Sequence, residues 1–319
     1  MGKPNKRANP RVVTRVNKDL ARLTAKQAKK FAKRLPPPWK RNRRGKPPTH
    51  ESRTVFVLCL IMTSLNLTYE GMEAEMRKGY LKEILEVKIL PSRSTLNRGM
   101  LRFDQKYIRK FNKLLVRKFV NKGMVVAVDA TGIRLKTSSS WYDIRIGRRN
   151  RRRDNMKLHI AVNIHRNVVV EYKITSWRRS DMRQLGFLLR NIDELLRVLG
   201  DAGYLSRKNC DTVANKNGTP FFAIKGNTTA KSEGSKAWRK MVLFAQERKE
   251  LYDALYHMRS LVECIFSAIK RRYGNFVRAV KRKTRDATIA LRILSFNIKQ
   301  RLYDEYARRL KLPYWIQTR

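Results

Sequence analysis

Acidic residues are scarce in this sequence. Only 25 Asp+Glu stand against 74 Lys+Arg in 319 residues, a formal net charge of +49. Self-repulsion on that scale is offset where the partner is a polyanion, so nucleic acid is the expected partner; a polybasic membrane-surface protein stays open on charge alone. Cysteine is nearly absent. Cys59, Cys210 and Cys264 are odd in number, dispersed and form no C-x-x-C pair, which excludes a disulfide framework and a zinc knuckle and makes a reducing cytoplasm the expected compartment. Long apolar runs are missing too. The longest charge-free stretch, TVFVLCLIMTSLNLTY at 54–69, falls short of the ~20 residues that span a bilayer. No apolar h-region follows the first basic residues, so no secretory signal is expected, and no repeat recurs at a fixed period.

Apolar content is ample. Hydrophobic residues make up 42% of the chain, enough to build a core and to exclude generic disorder, and the length suits two or three domains. The charge is spread unevenly. Residues 1–50 hold 17 Lys+Arg and one acid, Asp19, a charge of +16 that leaves +33 on the rest. Residues 1–48 end in a proline run and RNRRGKPP. They read as a basic flexible arm and linker with a short helix near 18–35, suited to sequence-independent phosphate contact.

Residues 49–121 read as a helical DNA-binding or dimerisation domain. Val55, Leu58, Cys59, Met62 and Leu65 share one helical face, a second helix fits 69–80, and Tyr107 to Phe119 recur at helical spacing. Between them Pro91 precedes a short helix with Ser92 or Ser94 as cap, which projects Arg93, Asn97, Arg98 and Arg102. This resembles a helix-turn-helix with its reader near 95–103, against the plainer reading of simple helical packing.

Past Gly123 the periodicity changes. MVVAVDATG (124–132) reads as a buried strand, and KLHIAVNIH (157–165) with NVVVEYKIT (167–175) as a hairpin turning near Arg166. A helix fits 182–196, a strand 197–204, a helix 206–215 and a strand 220–226, before helices near 235–250, 252–271 and 284–310. The order βββαβαβα predicts an α/β sheet covered on both faces, over residues 122–311, with a C-terminal tail at 312–319.

Two carboxylates end apolar strands here: Asp129 in DATG and Asp201 in GDAGY. Such a position opens onto the crevice where α/β sheets take ligands, although either Asp alone also serves as a cap or turn former. A third acid lies on the helix LYHMRSLVECIFSAIKRRYG, where Tyr256, Arg259, Glu263 and Lys270 are spaced by 3, 4 and 7 residues. In a continuous helix these four share an arc of roughly 60°, opposite Leu255, Met258, Leu261, Val262, Ile265, Phe266 and Ile269. The plainer alternative is a solvated face with an Arg–Glu pair. His50, His159, His165 and His257 are too scattered for a metal site; His159 reads as packed in its strand, and His257 as a possible DNA contact. Asp143, Asp154, Asp181 and Asp211 end no apolar strand. GNTTAKS lacks the glycine a phosphate-binding loop needs, and G-x-S-x-G is missing.

YHMRSLVECIFSAIK fits Y-x2-R-x3-E-x6-K and resembles the signature around the catalytic Glu of DDE transposases from bacterial and archaeal insertion sequences. DATG, DAGY and KLHIAVNI look like that family's first Asp, second Asp and second strand, so the resemblance covers about residues 50–305. It implies an RNase H-like mixed sheet with flanking helices, preceded by the small helical domain. It implies that Asp129, Asp201 and Glu263 form an acidic triad for two divalent ions, Mg²⁺ with Mn²⁺ as a substitute. The expected activity is cleavage of double-stranded DNA at transposon ends and strand transfer of the 3′-OH into target DNA, by a homodimer in the synaptic complex. Tyr256, Arg259 and Lys270 would grip phosphates. The family's β insertion before the Glu helix is replaced by one short polar stretch and a helix. The loop 136–157 carries Arg148, Arg149, Arg151 and Arg152, expected on the DNA backbone beside the triad; Trp141 and Tyr142 stack on a base or pack the hairpin. Two other classes stay open: a non-catalytic DNA-binding relic or domesticated transposase, and an RNase H-like nuclease that cuts without joining. The expected place is the cytoplasm, on chromosomal DNA.

Overall fold

A computed structural model of the chain describes residues 5–40, 47–135, 145, 147 and 155–318. The elements begin with β1 (Asn5–Ala8), α1 (Pro10–Lys18), α2 (Leu20–Ala32), α3 (Ser52–Ser64), α4 (Tyr69–Arg77), α5 (Tyr80–Leu85), α6 (Arg93–Met100) and α7 (Gln105–Val116). A sheet region follows with β2 (Met124–Leu135), β3 (Asn155–Asn163), β4 (Val168–Ser176), α8 (Leu185–Leu189), β5 (Leu195–Gly200), α9 (Arg207–Ala214) and β6 (Thr219–Phe222). Then come α10 (Lys236–Glu247), α11 (Lys249–Tyr256), α12 (Ser260–Tyr273), β7 (Phe276–Val277), α13 (Arg282–Arg309) and β8 (Trp315–Thr318). Two compact units result, residues 1–115 with 281–319, and residues 116–280.

The first unit is helical and is built around α3. Because its sequence carries no charge from Thr54 onward, α3 is apolar all round and is enclosed by α2, α6 and α13. The sequence placed only one face in the core; instead every residue from Thr54 to Met62 is buried. Phe56 stands at the centre, its ring 5.0–5.3 Å from those of Tyr107, Phe111 and Phe103. No single helix among the described residues is long and apolar enough to cross a membrane. The helix read at 69–80 is broken at Gly79, whose φ of +83° suits glycine, so that α4 and α5 are separate. Ser92 caps α6 by accepting from the Thr95 amide.

Within residues 1–48, the described residues 10–32 depart from a flexible arm. Residues 10–32 form α1 and α2, and Val16, Ala25, Ala28 and Phe31 are buried. Phe31 packs against Phe111 at 6.2 Å, and the Arg301 guanidinium covers its ring at 4.7 Å. The basic residues of α2 lie between these apolar positions, and their number masked a narrow stripe at helical spacing. The chain end also differs from a free tail, because β8 pairs antiparallel with β1. The helix read at 284–310 forms as α13, but within this unit, where Asn297 Nδ2 donates to Asn112 Oδ1 in the core.

The second unit holds a mixed sheet in the order β4-β3-β2-β5-β6, with β7 against the far end of β2. β2, β3 and β4 are antiparallel neighbours; β5 and β6 join parallel. In order of appearance that is 3-2-1-4-5, the RNase H-like arrangement the resemblance implied. Two expected helices change. The one read at 182–196 shrinks to a 3-10 turn and α8, since the buried Glu171 carboxylate accepts from Arg190 and Asn191 and turns the chain into β5. The one read at 252–271 is divided by a 3-10 turn at His257–Arg259.

Replacing Phe31 by Ala is expected to lower the unfolding free energy by about 3–5 kcal/mol. Denaturant titration of the full chain checks this, and an unchanged midpoint would return residues 10–32 to a free arm.

Candidate active site

The site begins with strand register. β2 and β5 run parallel, and Val128 pairs with Gly200. The next residues in each strand direction are Asp129 and Asp201, so the two carboxylates leave adjacent strands at the same level. Gly200 permits the approach: a Cβ there would lie 2.9 Å from the Phe222 ring and 3.0 Å from Val128. β2 itself continues to Leu135 along β3, and Asp129 marks where it loses β5 as a neighbour and becomes partly exposed. Asp201 caps a 3-10 turn, accepting from the Gly203 amide at 3.0 Å.

Glu263 comes from the first turn of α12, whose Val262, Ile265, Phe266 and Ile269 are buried. Glu263 itself is exposed. Between it and Asp129 lies Arg259, which donates to Glu263 Oε1 at 2.7 Å and to Asp129 Oδ2 at 3.4 Å. The guanidinium also faces the Tyr256 ring at 5.7 Å. Tyr256 in turn stacks on Tyr252, whose hydroxyl donates to the Phe222 carbonyl at 2.8 Å. A ladder of two rings thus ties Arg259 to β6. Lys270, two turns after Glu263, donates to Thr131 Oγ1 at 2.6 Å and fastens α12 to β2 two residues past Asp129.

Six predicted residues therefore meet at one sheet edge: Asp129, Asp201, Glu263, Tyr256, Arg259 and Lys270. The three acids are not closed into a metal cage, and among the described residues no three acidic, His or Cys side chains are gathered to hold an ion. Arg148, Arg149, Arg151 and Arg152, with Trp141 and Tyr142, lie outside the described residues. Arg93 and Arg98 belong to the helical unit, exposed on α6, with Arg93 3.5 Å from Glu70. His159 is fully buried, as its packing in a strand predicted. Sequence reasoning missed Thr131, and it passed over Asp181, which follows β4 in a polar loop that carries no periodic signal.

Electrostatics set the state of this edge. Burial pushes the Asp129 carboxyl up to about 6, and the charges of Asp201 and Glu263 push the same way. The Ala130 amide and the Arg259 guanidinium oppose them. Asp201 and Glu263 are thus each close enough to repel Asp129, and Arg259 offsets part of that repulsion.

An RNase H-like sheet with one carboxylate on its first strand, one directly after its fourth, and a third on a following helix defines the class. The chain belongs to the transposase DDE domain family, whose profile matches residues 121–298. It also aligns with a solved structure titled a piggyBac transposase synaptic complex with hairpin DNA, at 8% identity and a TM-score of 0.44, over 93% of this chain and 74% of that one. A comparison with curated proteins finds no match.

In metal-free protein the Asp129 carboxyl is expected to titrate near 6. Since the guanidinium favours the ionised form, Arg259→Ala should move that midpoint upward. Carboxyl ¹³C NMR of Asp-labelled protein measures it, and an unmoved midpoint would remove Arg259 from contact with Asp129.

Proposed function

We propose that the protein is an insertion-sequence transposase that cleaves DNA at transposon ends and joins the freed 3′-OH to target DNA. The observation that carries this reading is the convergence of Asp129, Asp201 and Glu263 on one sheet edge, with Arg259 between two of them. The donor set fits hard divalent cations. All three are carboxylates, hard oxygen donors, and Asp129 and Asp201 leave adjacent parallel strands at one level. Asp129, Asp201 and Glu263 would hold two such ions, Mg²⁺ or Mn²⁺, which when bound supply Lewis acidity at the attacking and leaving oxygens of an in-line displacement.

The chain's own groups do the rest. Arg259 presents a planar fork suited to a phosphate as well as to a carboxylate, so it turns from the acids to the DNA backbone when their charge is otherwise met. Tyr256 offers a phenol donor beside it, and Lys270 a point charge on the same side. Arg148, Arg149, Arg151 and Arg152 extend this grip along the backbone. Arg93 and Arg98 on α6 read or hold duplex DNA in the helical unit. Joining two ends calls for at least two copies, hence a homodimer on DNA.

The test is divalent-dependent nicking of a duplex carrying the element's terminal repeats. Asp129→Ala, Asp201→Ala and Glu263→Ala should each lower the rate by at least ~10²-fold while duplex affinity persists. Retained cleavage in any variant removes that residue from the triad. Products hydrolysed but never joined point to a nuclease; wild-type binding without cleavage points to a DNA-binding relic.

A further inference from the structure

Behind Asp201 lies a second charged group that the reaction as proposed leaves unused. Asp181 is mostly buried, and its Oδ1 sits 2.5 Å from Lys157 Nζ and 3.3 Å from His159 Nδ1. Lys157 and His159 are two residues apart on β3 and so share one face of the sheet. His159 is fully buried, with Nε2 2.9 Å from the Thr175 hydroxyl on β4. Burial pushes its pKa down to about 4, so the ring is neutral and Lys157 is the cation against Asp181. The neutral His159 ring makes its hydrogen bond through Nε2, and its Nδ1 stays without a hydrogen-bond partner beside Asp181.

The other carboxylate oxygen, Oδ2, lies near Gly203. A Cβ on Gly203 would lie 3.5 Å from Asp181 Oδ2 and 3.1 Å from Asp201 Oδ1. Two oxygens flanking one point at those distances are at most about 6.6 Å apart. Beside Gly203, Tyr204 is fully buried, its hydroxyl has no hydrogen-bond partner, and it feels the charges of Asp181, Asp129 and Asp201. A buried phenol left unpaired is costly, and this one lies within the field of the acids at the site. An ordinary structural ion pair accounts for Oδ1 and Lys157, but not for Oδ2 beside Gly203 or for the unpaired Tyr204 hydroxyl.

We infer that Asp181 is a positioning residue for the acidic site: paired with Lys157, it backs Asp201 with a fixed negative charge that shields the site from the Lys157 ammonium and favours divalent cations there. This rests on the metal-holding role proposed for Asp129, Asp201 and Glu263. The roles of Asp181 and Lys157 then carry opposite signs. Loss of Asp181 leaves an ammonium facing Asp201; loss of Lys157 leaves a carboxylate unopposed.

Mn²⁺ binding to the full chain without DNA, followed by electron paramagnetic resonance, separates the possibilities. Asp181→Asn should weaken Mn²⁺ binding by roughly tenfold, Asp181→Glu should recover most of it, and Lys157→Met should tighten it several-fold. A purely structural pair would weaken binding in both Asp181→Asn and Lys157→Met, or leave it unmoved in both, and either result overturns the inference. Lys157→Met decides alone if Asp181→Asn fails to fold. Asp129→Asn and Asp201→Asn serve as controls. If they bind Mn²⁺ as wild type does, the metal-holding reading itself fails; if they lose it while Asp181→Asn does not, only the role of Asp181 falls.

Discussion

Carboxylates brought to one edge of a sheet repel one another, and the arrangement at residues 129, 201 and 263 depends on the guanidinium placed among them. Arg259 touches two of the three acids. Its own position depends on Tyr256, then Tyr252, then the Phe222 carbonyl of β6. The strand that flanks β5 therefore steers the cation that offsets the charge on β2. The register between Val128 and Gly200 supplies the other half, since a side chain at 200 would collide with Phe222 and Val128 and force the strands apart. Packing and electrostatics act on the same few atoms here.

Much of this edge was legible in the sequence because it is made of strong local signals. An apolar run that ends in Asp is rare enough to notice, although β2 itself runs on to Leu135, and a buried parallel strand announces itself as an unbroken apolar run. The hairpin of β3 and β4 was legible for the same reason, with Asn167 at φ 54° taking the turn. Joint order did the rest: Asp, Asp and Glu on a sheet of βββαβαβα pattern narrow the reading far more than any one of them.

What stayed hidden was held by tertiary contacts. The helix read at 182–196 ends early through a carboxylate on β4, distant in sequence from Arg190. Residues 10–32 fold into a core because Phe31 finds Phe111 and Arg301, whereas composition showed only lysine. Asp181 is the sharpest case. The rule that a working carboxylate should end an apolar strand set it aside, yet its partners Lys157 and His159 sit on a strand, and it reaches them from a loop. A residue placed by its partners has no periodic signature of its own.

The helix break at 257–259 gives the spacing of the signature a physical meaning that a continuous helix would not. In a 3-10 turn, side chains three apart eclipse; in an α-helix, side chains four and seven apart share a face. Tyr256 and Arg259 are three apart across the 3-10 turn, and the ring lies under the guanidinium. Glu263 and Lys270 follow at four and then seven, on α12, one meeting Arg259 and the other Thr131. Intervals of 3, 4 and 7 are thus two helical periods in sequence, the first seating the cation on its ring and the second aligning the acid and the lysine with β2. A change of one residue in any interval would keep the composition of the site and lose its alignment.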